Sequence, residues 1–298
     1  MAIGDVSAVT TDENIHYVDT GMYDSAEYGS VYLIDDDRPA LIDTGIGTNY
    51  ERILDLLDAV GVDPGELSVI ALTHVHLDHA GGAGFLAEAC PNAGVYVHEI
   101  GAPHLADPAR LWEGTKGAVG EQIVFYTEPK PIPEDRIESI TDGDEIDLGT
   151  HTLRAHHAPG HAPHQVVFEV PESDAVFTGD AAGVYTPSID RLHATSPPPQ
   201  FDLEGALEDV EMIRALDPET LLYAHFGPAP ADGRLDTYAD RLESWVADVR
   251  DARERFEETD EIVDQLWNRA DAPDVWDERK TRGELAMNVR GVLAYLDS

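Results

Sequence analysis

Between Thr73 and Gly82 the chain reads Thr-His-Val-His-Leu-Asp-His-Ala-Gly-Gly, which crowds His74, His76, Asp78 and His79 into six positions. Neutral imidazole nitrogen and ionised carboxylate are preferred donors for zinc and its first-row neighbours. The preceding run 67–72 (LSVIAL) is short and apolar and reads as a buried strand. Residues 80–89 are rich in Ala, Gly and Leu and read as a helix starting near Asp78. Two residues apart at the end of an extended strand, His74 and His76 point to the same side. Asp78 and His79 follow on the turn into the helix, and Gly81-Gly82 are expected to let the backbone approach whatever is bound there. The spacing predicts a metal cradle at a strand-to-helix turn. The competing reading, a histidine-bearing surface loop, is weakened by further donors placed in the same way downstream.

His161 follows the alternating run 151–157, in the turn Pro159-Gly160-His161. Asp180 closes the apolar run 175–177 within Phe177-Thr178-Gly179-Asp180, and His225 closes the short strand 221–226 (LLYAHF). Each donor stands just past an expected strand, where sheet ends present side chains into one cleft. In this order His74, His76, Asp78, His79, His161, Asp180 and His225 resemble the ligand set of the metallo-β-lactamase-fold hydrolases. The resemblance covers roughly residues 10–230 and joins four separate motifs. It implies an α/β fold, a four-layer αββα sandwich with a dinuclear site at one edge. By the family pattern His74, His76 and His161 hold a first metal, Asp78, His79 and His225 hold a second, and Asp180 bridges them. Leu41-Ile42-Asp43-Thr44-Gly45 also looks like the family's early motif, whose Asp orients a ligand histidine from behind. A plain turn residue before Gly45 is the other reading of Asp43.

The chemistry that the resemblance implies is hydrolysis of a thioester, lactone or related ester. A bound divalent metal lowers the pKa of a water toward neutrality, and the resulting hydroxide attacks a polarised carbonyl. Asp78 is the natural residue to orient that hydroxide and carry its proton. Zinc, two per chain, is the default on ligand type, and nitrogen and oxygen donors also accept iron or manganese. The single cysteine, Cys90, is remote from every ligand motif and reads as a packing residue. Its distance points away from the β-lactamase subclass that uses a cysteine ligand. The seven-residue set most resembles the glyoxalase II-like thioesterases, with lactonases next, although no basic cluster for glutathione's carboxylates is visible. Alternatives on the same fold are a mononuclear iron persulfide dioxygenase, a β-lactamase-like amide hydrolase, a nuclease and a non-catalytic binding module. The intact ligand set argues against the last. Tyr185 and His193, after Asp180, are candidate contacts to the substrate oxyanion. His164 is either a partner of the site or a surface residue, at most one of His156 and His157 faces the cleft, and His98 and His104 read as helix-surface positions.

Composition narrows the partners. The chain carries 59 acidic against 19 basic residues, a formal charge of −40, and only Lys116, Lys130 and Lys280 are lysines. Acidic residues are spread along the whole length, which suggests a halophilic protein whose self-repulsion is screened by salt. An acidic face for a basic partner is the other reading. Either way nucleic acid is disfavoured, since phosphate binding needs clustered Lys and Arg. The expected partner is a small-molecule substrate, with no membrane, and a homodimer remains open. No apolar run reaches eighteen residues, no secretory signal is visible at the N-terminus, and one cysteine excludes an internal disulfide. A cytoplasmic location follows as the expectation.

At 298 residues the chain divides naturally into one large domain and an appendage: 1–230 as the metallohydrolase domain and 231–298 as a C-terminal helical extension packed on it. Short strands are expected at 15–18, 30–34 and 39–42, an amphipathic helix over 48–60 stopped by Gly61, and a strand at 95–97. Helices are expected over 99–126, then strands at 145–148, 152–156, 165–170 and 175–177. The segment 183–200, with Pro187 and Pro197-Pro198-Pro199, has little periodicity and reads as a loop over the cleft. Helical spacing returns at 235–256, 258–267 and 281–296, with Trp245, Trp267 and Trp276 expected to anchor those helices. They serve either as structure alone or as a wall of the substrate pocket or an oligomer interface.

Overall fold

In the computed structural model, which describes residues 1–267 and 275–298, the chain forms a four-layer αββα sandwich with a C-terminal helical extension. The first sheet holds seven strands in sequence order: β1 (Val6–Val9), β2 (Asp12–Asp19), β3 (Ser30–Ile34), β4 (Ala40–Ile42), β5 (Val69–Ala71), β6 (Gly94–His98) and β7 (Ile137–Ile140). Its first four strands pair antiparallel and β4 to β7 pair parallel. The second sheet runs β15-β14-β11-β10-β9-β8, from β8 (Glu145–Asp147), β9 (Thr152–His157), β10 (Val166–Val170) and β11 (Ala175–Gly179) to β14 (Thr220–Tyr223) and β15 (Gly227–Pro230). A separate hairpin joins β12 (Val184–Thr186) to β13 (Arg191–His193).

Period-two alternation assigns each strand face to a layer. Leu33, Leu41, Ile70 and Val95 pack with Ile53, Leu56, Leu57 and Leu86 of α1 (Tyr50–Val60) and α3 (Ala83–Ala89). Their neighbours Tyr32, Ile34, Ile42 and Val69 turn the other way and meet Phe168, Phe177 and Leu222 between the sheets. Val167, Val176, Leu221 and Tyr223 face outward again, onto α6 (Leu203–Ala215), α7 (Arg234–Arg253), α8 (Thr259–Trp267) and α9 (Glu278–Leu296). Each such fully buried Leu, Ile or Phe contributes about 1.5–3 kcal/mol. These three apolar layers offset the cost of burying the polar cluster at the sheet edge.

Several elements differ from the sequence-based expectation. β1 and β7 had no readable pattern: they are edge strands, half-exposed, and so lack a clean apolar face. The helix expected over 80–89 from near Asp78 is two, α2 (Leu77–Ala80) and α3, broken at Gly81-Gly82. That pair packs against a neighbouring turn. A Cβ on Gly82 would collide with the Thr44 carbonyl, and one on Gly81 would come within 2.9 Å of the Ile46 backbone. The glycines let α2 dock against the 44–46 turn, sealed by Gly82 N–H to Gly45 O at 3.1 Å. Within the expected loop 183–200 lies the β12–β13 hairpin, whose Leu192 is buried against α7 and the second sheet. His98 ends a strand, is buried, and stacks on His157 with ring centres 4.3 Å apart. It is no helix-surface residue; the apolar β6 carries it inward.

The extension is tied in at Ser196. Trp245 Nε1 donates to Ser196 Oγ (2.9 Å), Ser196 Oγ donates to the Asn288 carbonyl (3.0 Å), and Gly291 leaves no room for a Cβ against Ser196. Trp276 is buried against Tyr28 (5.1 Å), so two tryptophans anchor the helices to the sandwich, while Trp267 packs under Arg282 of α9. Residues 268–274 of the extension lie outside the described residues.

The two sheets are also pinned far from the histidine cluster. Buried His151, between β8 and β9, bonds Asp36 through Nδ1 (2.7 Å) and Asp12 through Nε2 (2.9 Å). Burial pushes the imidazole down, but the two carboxylates outweigh it and raise it above its ordinary value. The contribution is therefore fully present below about pH 6.5 and is lost as pH rises through the elevated folded value. His151→Gln is expected to lower stability more at about pH 6 than at about pH 9, measured by urea unfolding in matched salt. Equal losses at both would refute the ion-pair account.

Candidate metal centre

Five of the candidate ligands sit just beyond strands: His74 and His76 beyond β5, His161 in the β9–β10 turn, Asp180 directly after β11 and His225 after β14. Asp78 and His79 occupy α2. The strand ends converge because backbone bonds stitch the sheets together there, Val166 N–H to Thr73 O (2.8 Å) and Ser30 N–H to Ala224 O (2.8 Å), while Asp43 N–H to Ala71 O (2.9 Å) extends the β4–β5 pairing of the first sheet.

All seven candidate ligands come together. His74 Nε2 lies 3.0 Å from His76 Nδ1, which lies 3.1 Å from His161 Nε2. On the other side His79 Nε2 stands 3.2 Å from His225 Nε2, and Asp78 Oδ2 is 3.8 Å from the latter. Asp180 lies between, its Oδ2 3.2 Å from His161 Nε2 and its Oδ1 3.2 Å from His79 Nε2 and 3.5 Å from His225 Nε2. The donor atoms of His74, His76 and His161, and those of Asp78, His79 and His225, each fall within 4.8 Å of one another.

The hydrogen bonds behind these rings decide which nitrogen is free. Asp43 Oδ2 lies 2.8 Å from His79 Nδ1, so that nitrogen carries the proton and Nε2 presents a lone pair. His225 Nδ1 donates to the Tyr28 carbonyl (2.8 Å), with the same result. Thr73 Oγ1 donates to Asp43 and accepts from His74 Nδ1 (3.1 Å), which frees His74 Nε2. Asp43 also takes the Thr73 N–H (2.8 Å) and adopts a left-handed φ of 61°, a strained conformation for a non-glycine. It is thus an orienting residue as well as a turn residue.

Converging lone pairs beside a buried carboxylate repel one another unless a cation lies between them. Asp180 Oδ1 is buried without a hydrogen-bond partner. Burial would raise the Asp180 carboxyl, but His161, His79 and His225 outweigh it and hold it well below the carboxylate range. Burial, reinforced by the neighbouring rings, holds His74 well below the usual histidine value. It pushes His161 down to about 3 although Asp180 opposes it. The donor set fits a bound divalent metal.

Residues 25–225 match the family profile described as the metallo-beta-lactamase superfamily. The chain belongs to that superfamily. A metallo-beta-lactamase fold-containing protein, ST1585, of Sulfurisphaera tokodaii is 27% identical over 218 residues, spanning 72% of this chain and 78% of its own. The crystal structure described as that of ST1585 superposes with a TM-score of 0.73, at 23% identity over 94% of this chain and 98% of that one. A hydroxyacylglutathione hydrolase of Erythrobacter litoralis is 26% identical over 54% of this chain and 68% of its own length. An atrochrysone carboxyl ACP thioesterase of Aspergillus fumigatus is 30% identical over 59% of this chain but only 43% of its own.

Other candidates fall elsewhere. Tyr185 donates to Asp190 Oδ1 (3.1 Å) under the Arg234 guanidinium, and His193 packs on Trp276 and lines a neighbouring cavity. Neither is among the residues lining the pocket over the ligands. His164 is buried 5.4 Å from His76, ring centre to ring centre, and its Nδ1 accepts the Val75 N–H at 3.4 Å, steadying the loop between two candidate ligands. His156 bonds Glu169 and His157 bonds the Pro163 carbonyl. Cys90 is fully buried at the end of α3, where burial pushes its thiol up to about 11.

The pocket over the cluster takes walls from the expected cleft loop 183–200, from the C-terminal helices and from tyrosines that no motif announced. Tyr28, Tyr126, Thr195, Pro197, Glu284 and Met287 line it together with His76, Asp78, Asp180 and His225. The last two wall residues come from α9, so the extension is a wall of the pocket as well as a structural prop.

Proposed function

We propose that this superfamily member is a dinuclear metal-dependent hydrolase, zinc-loaded with two ions per chain, acting on a thioester, lactone or related ester. The observation that carries the reading is Asp180, whose two oxygens face separate histidine groups. His74, His76 and His161 would hold one ion and Asp78, His79 and His225 the other, with Asp180 shared. A divalent metal bound there supplies a water of near-neutral pKa and polarises the carbonyl under attack.

The protein's own residues do the rest. Asp43, Thr73 and the Tyr28 carbonyl fix the tautomers that point free nitrogens inward. Asp78, the most exposed of the candidate ligands in the second group, at 20%, opens to the pocket and takes the proton released as water oxygen joins the acyl carbon and the thiol or alcohol departs. Tyr28, Tyr126 and Met287 exclude bulk water. The hydrolase and thioesterase relatives support the ester reading, and the formal charge of −40 supports work at high salt.

The test is metal content of protein purified in high salt, beside a panel of thioester, lactone, β-lactam and phosphodiester substrates. Two metals per chain with turnover of thioesters or lactones is the expected result. One iron without hydrolysis would replace this reading by iron-dependent oxygenation, and turnover of β-lactams alone would move it to amide hydrolysis.

A further inference from the structure

The space directly over the ligand cluster, about 60 Å³, is small beside that of a neighbouring cavity measured in the same way. An ester with a substituent on each side of the scissile bond must continue beyond it. A second cavity of about 610 Å³ lies between the β12–β13 hairpin and helices α7 to α9. Tyr28, Val184 and Glu284 line both. Any arm passing from one space to the other passes Glu284.

The Glu284 carboxylate is held in place. Lys280 Nζ and the Tyr28 hydroxyl both donate to its Oε2, the latter at 2.8 Å. Lys280 is itself buried, with Nζ 3.5 Å from the Tyr28 ring centre, 4.8 Å from that of Tyr23 and 5.3 Å from that of Trp276. Its charge is spent on this aromatic cage and on Glu284, and it lines neither cavity. Among the described residues Oε1 has only a long 3.4 Å contact, from Asn288 Nδ2. An ionised carboxylate accepts hydrogen bonds and donates none, so this free oxygen welcomes a donor and repels another carboxylate. Arg191 and Arg241 line the second cavity and not the first, as do Asp240 and Asp248, so a short arm meets Glu284 first.

We infer that Glu284 is a specificity-determining residue whose Oε1 receives a hydrogen-bond donor, ammonium or hydroxyl, on the arm of the substrate that enters the second cavity. This deepens the ester reading above and rests on it for the scissile bond.

The experiment compares thioesters of equal length whose arms end in ammonium, hydroxyl or carboxylate, and in parallel the binding of their non-hydrolysable thioether analogues to the metal-loaded protein. Expected is at least about tenfold tighter binding of ammonium or hydroxyl arms than of the carboxylate arm, and the same order in kcat/KM. In Glu284→Gln the ratio should shrink toward one through Kd and KM, with metal content unchanged. Lys280→Met combined with Glu284→Gln avoids stranding the buried ammonium and should behave likewise. Equal binding of all three arms by the unaltered protein, preference for the carboxylate, or an unchanged ratio in a folded variant each overturns the inference. If neither variant folds, the unaltered protein's ratio still decides. Donor-selective binding without turnover of any thioester would overturn the ester reading and keep this role of Glu284.

Discussion

Alanine at Asp180 is expected to remove metal-dependent turnover, by at least about a thousandfold or roughly 4 kcal/mol of barrier. Its carboxylate touches both histidine groups: Oδ2 faces His161 while Oδ1 faces His79 and His225. Losing the carboxylate leaves five inward-facing imidazoles with Asp78 on their inner side and Asp43 behind His79. Burial and mutual proximity already hold His74 and His161 low, so the cluster has less to offer a cation once its central anion is gone. Asp180→Asn keeps the volume but one acceptor oxygen only, and should bind fewer metals per chain while folding normally. Mass-spectrometric metal content and turnover, measured on the same preparations, check this. Two tightly held metals and an undiminished rate in Asp180→Ala would show that the centre does not depend on a shared carboxylate.

Gly160→Ala is expected to be the most damaging single methyl in the site. A Cβ there would overlap the Ala206 backbone nitrogen at the start of α6, and backbone cannot rotate aside as a side chain can. Overpacking of this kind costs about 1–3 kcal/mol, occasionally more. The same shift breaks Gly160 N–H to Asp209 Oδ2 (2.8 Å) and displaces the adjacent candidate ligand His161. Asp209 is buried, and burial raises its carboxyl to about 7; without the Gly160 donor it would lose the bond that now steadies its ionised form. The expected result is a lower unfolding midpoint together with weakened metal binding. Metal affinity and stability both at the level of the unaltered protein would mean that the β9–β10 turn is far more plastic than its packing implies.

Much of this centre is legible in the residue order. Imidazoles and carboxylates placed just past apolar runs are a local signal, because a strand that must bury both faces delivers whatever follows it to the sheet edge. His74, His76, Asp78, His79, His161, Asp180 and His225 needed no more than that, and the short apolar runs before them, with the alternating run 151–157, announced the central strands. The edge strands β1 and β7 escaped because a half-exposed strand has no obligatory apolar face. The hairpin inside 183–200 escaped because its strands are only three residues each, too short for a period to show.

Other features belong to tertiary structure alone. Gly81 and Gly82 look the same in a sequence whether a ligand or a neighbouring turn comes close; only packing against Thr44 and Ile46 decides it. Tyr185 looked suited to the substrate until Asp190 and Arg234 claimed its hydroxyl. Tyr28 and Glu284 are 256 positions apart, and nothing local relates them until α9 folds back over the sheet edge and their hydrogen bond closes. Ligand chemistry is a property of residue type and strand ends, and so it is written along the chain. The pocket wall is a property of contacts between distant elements, and it exists only once the layers have packed.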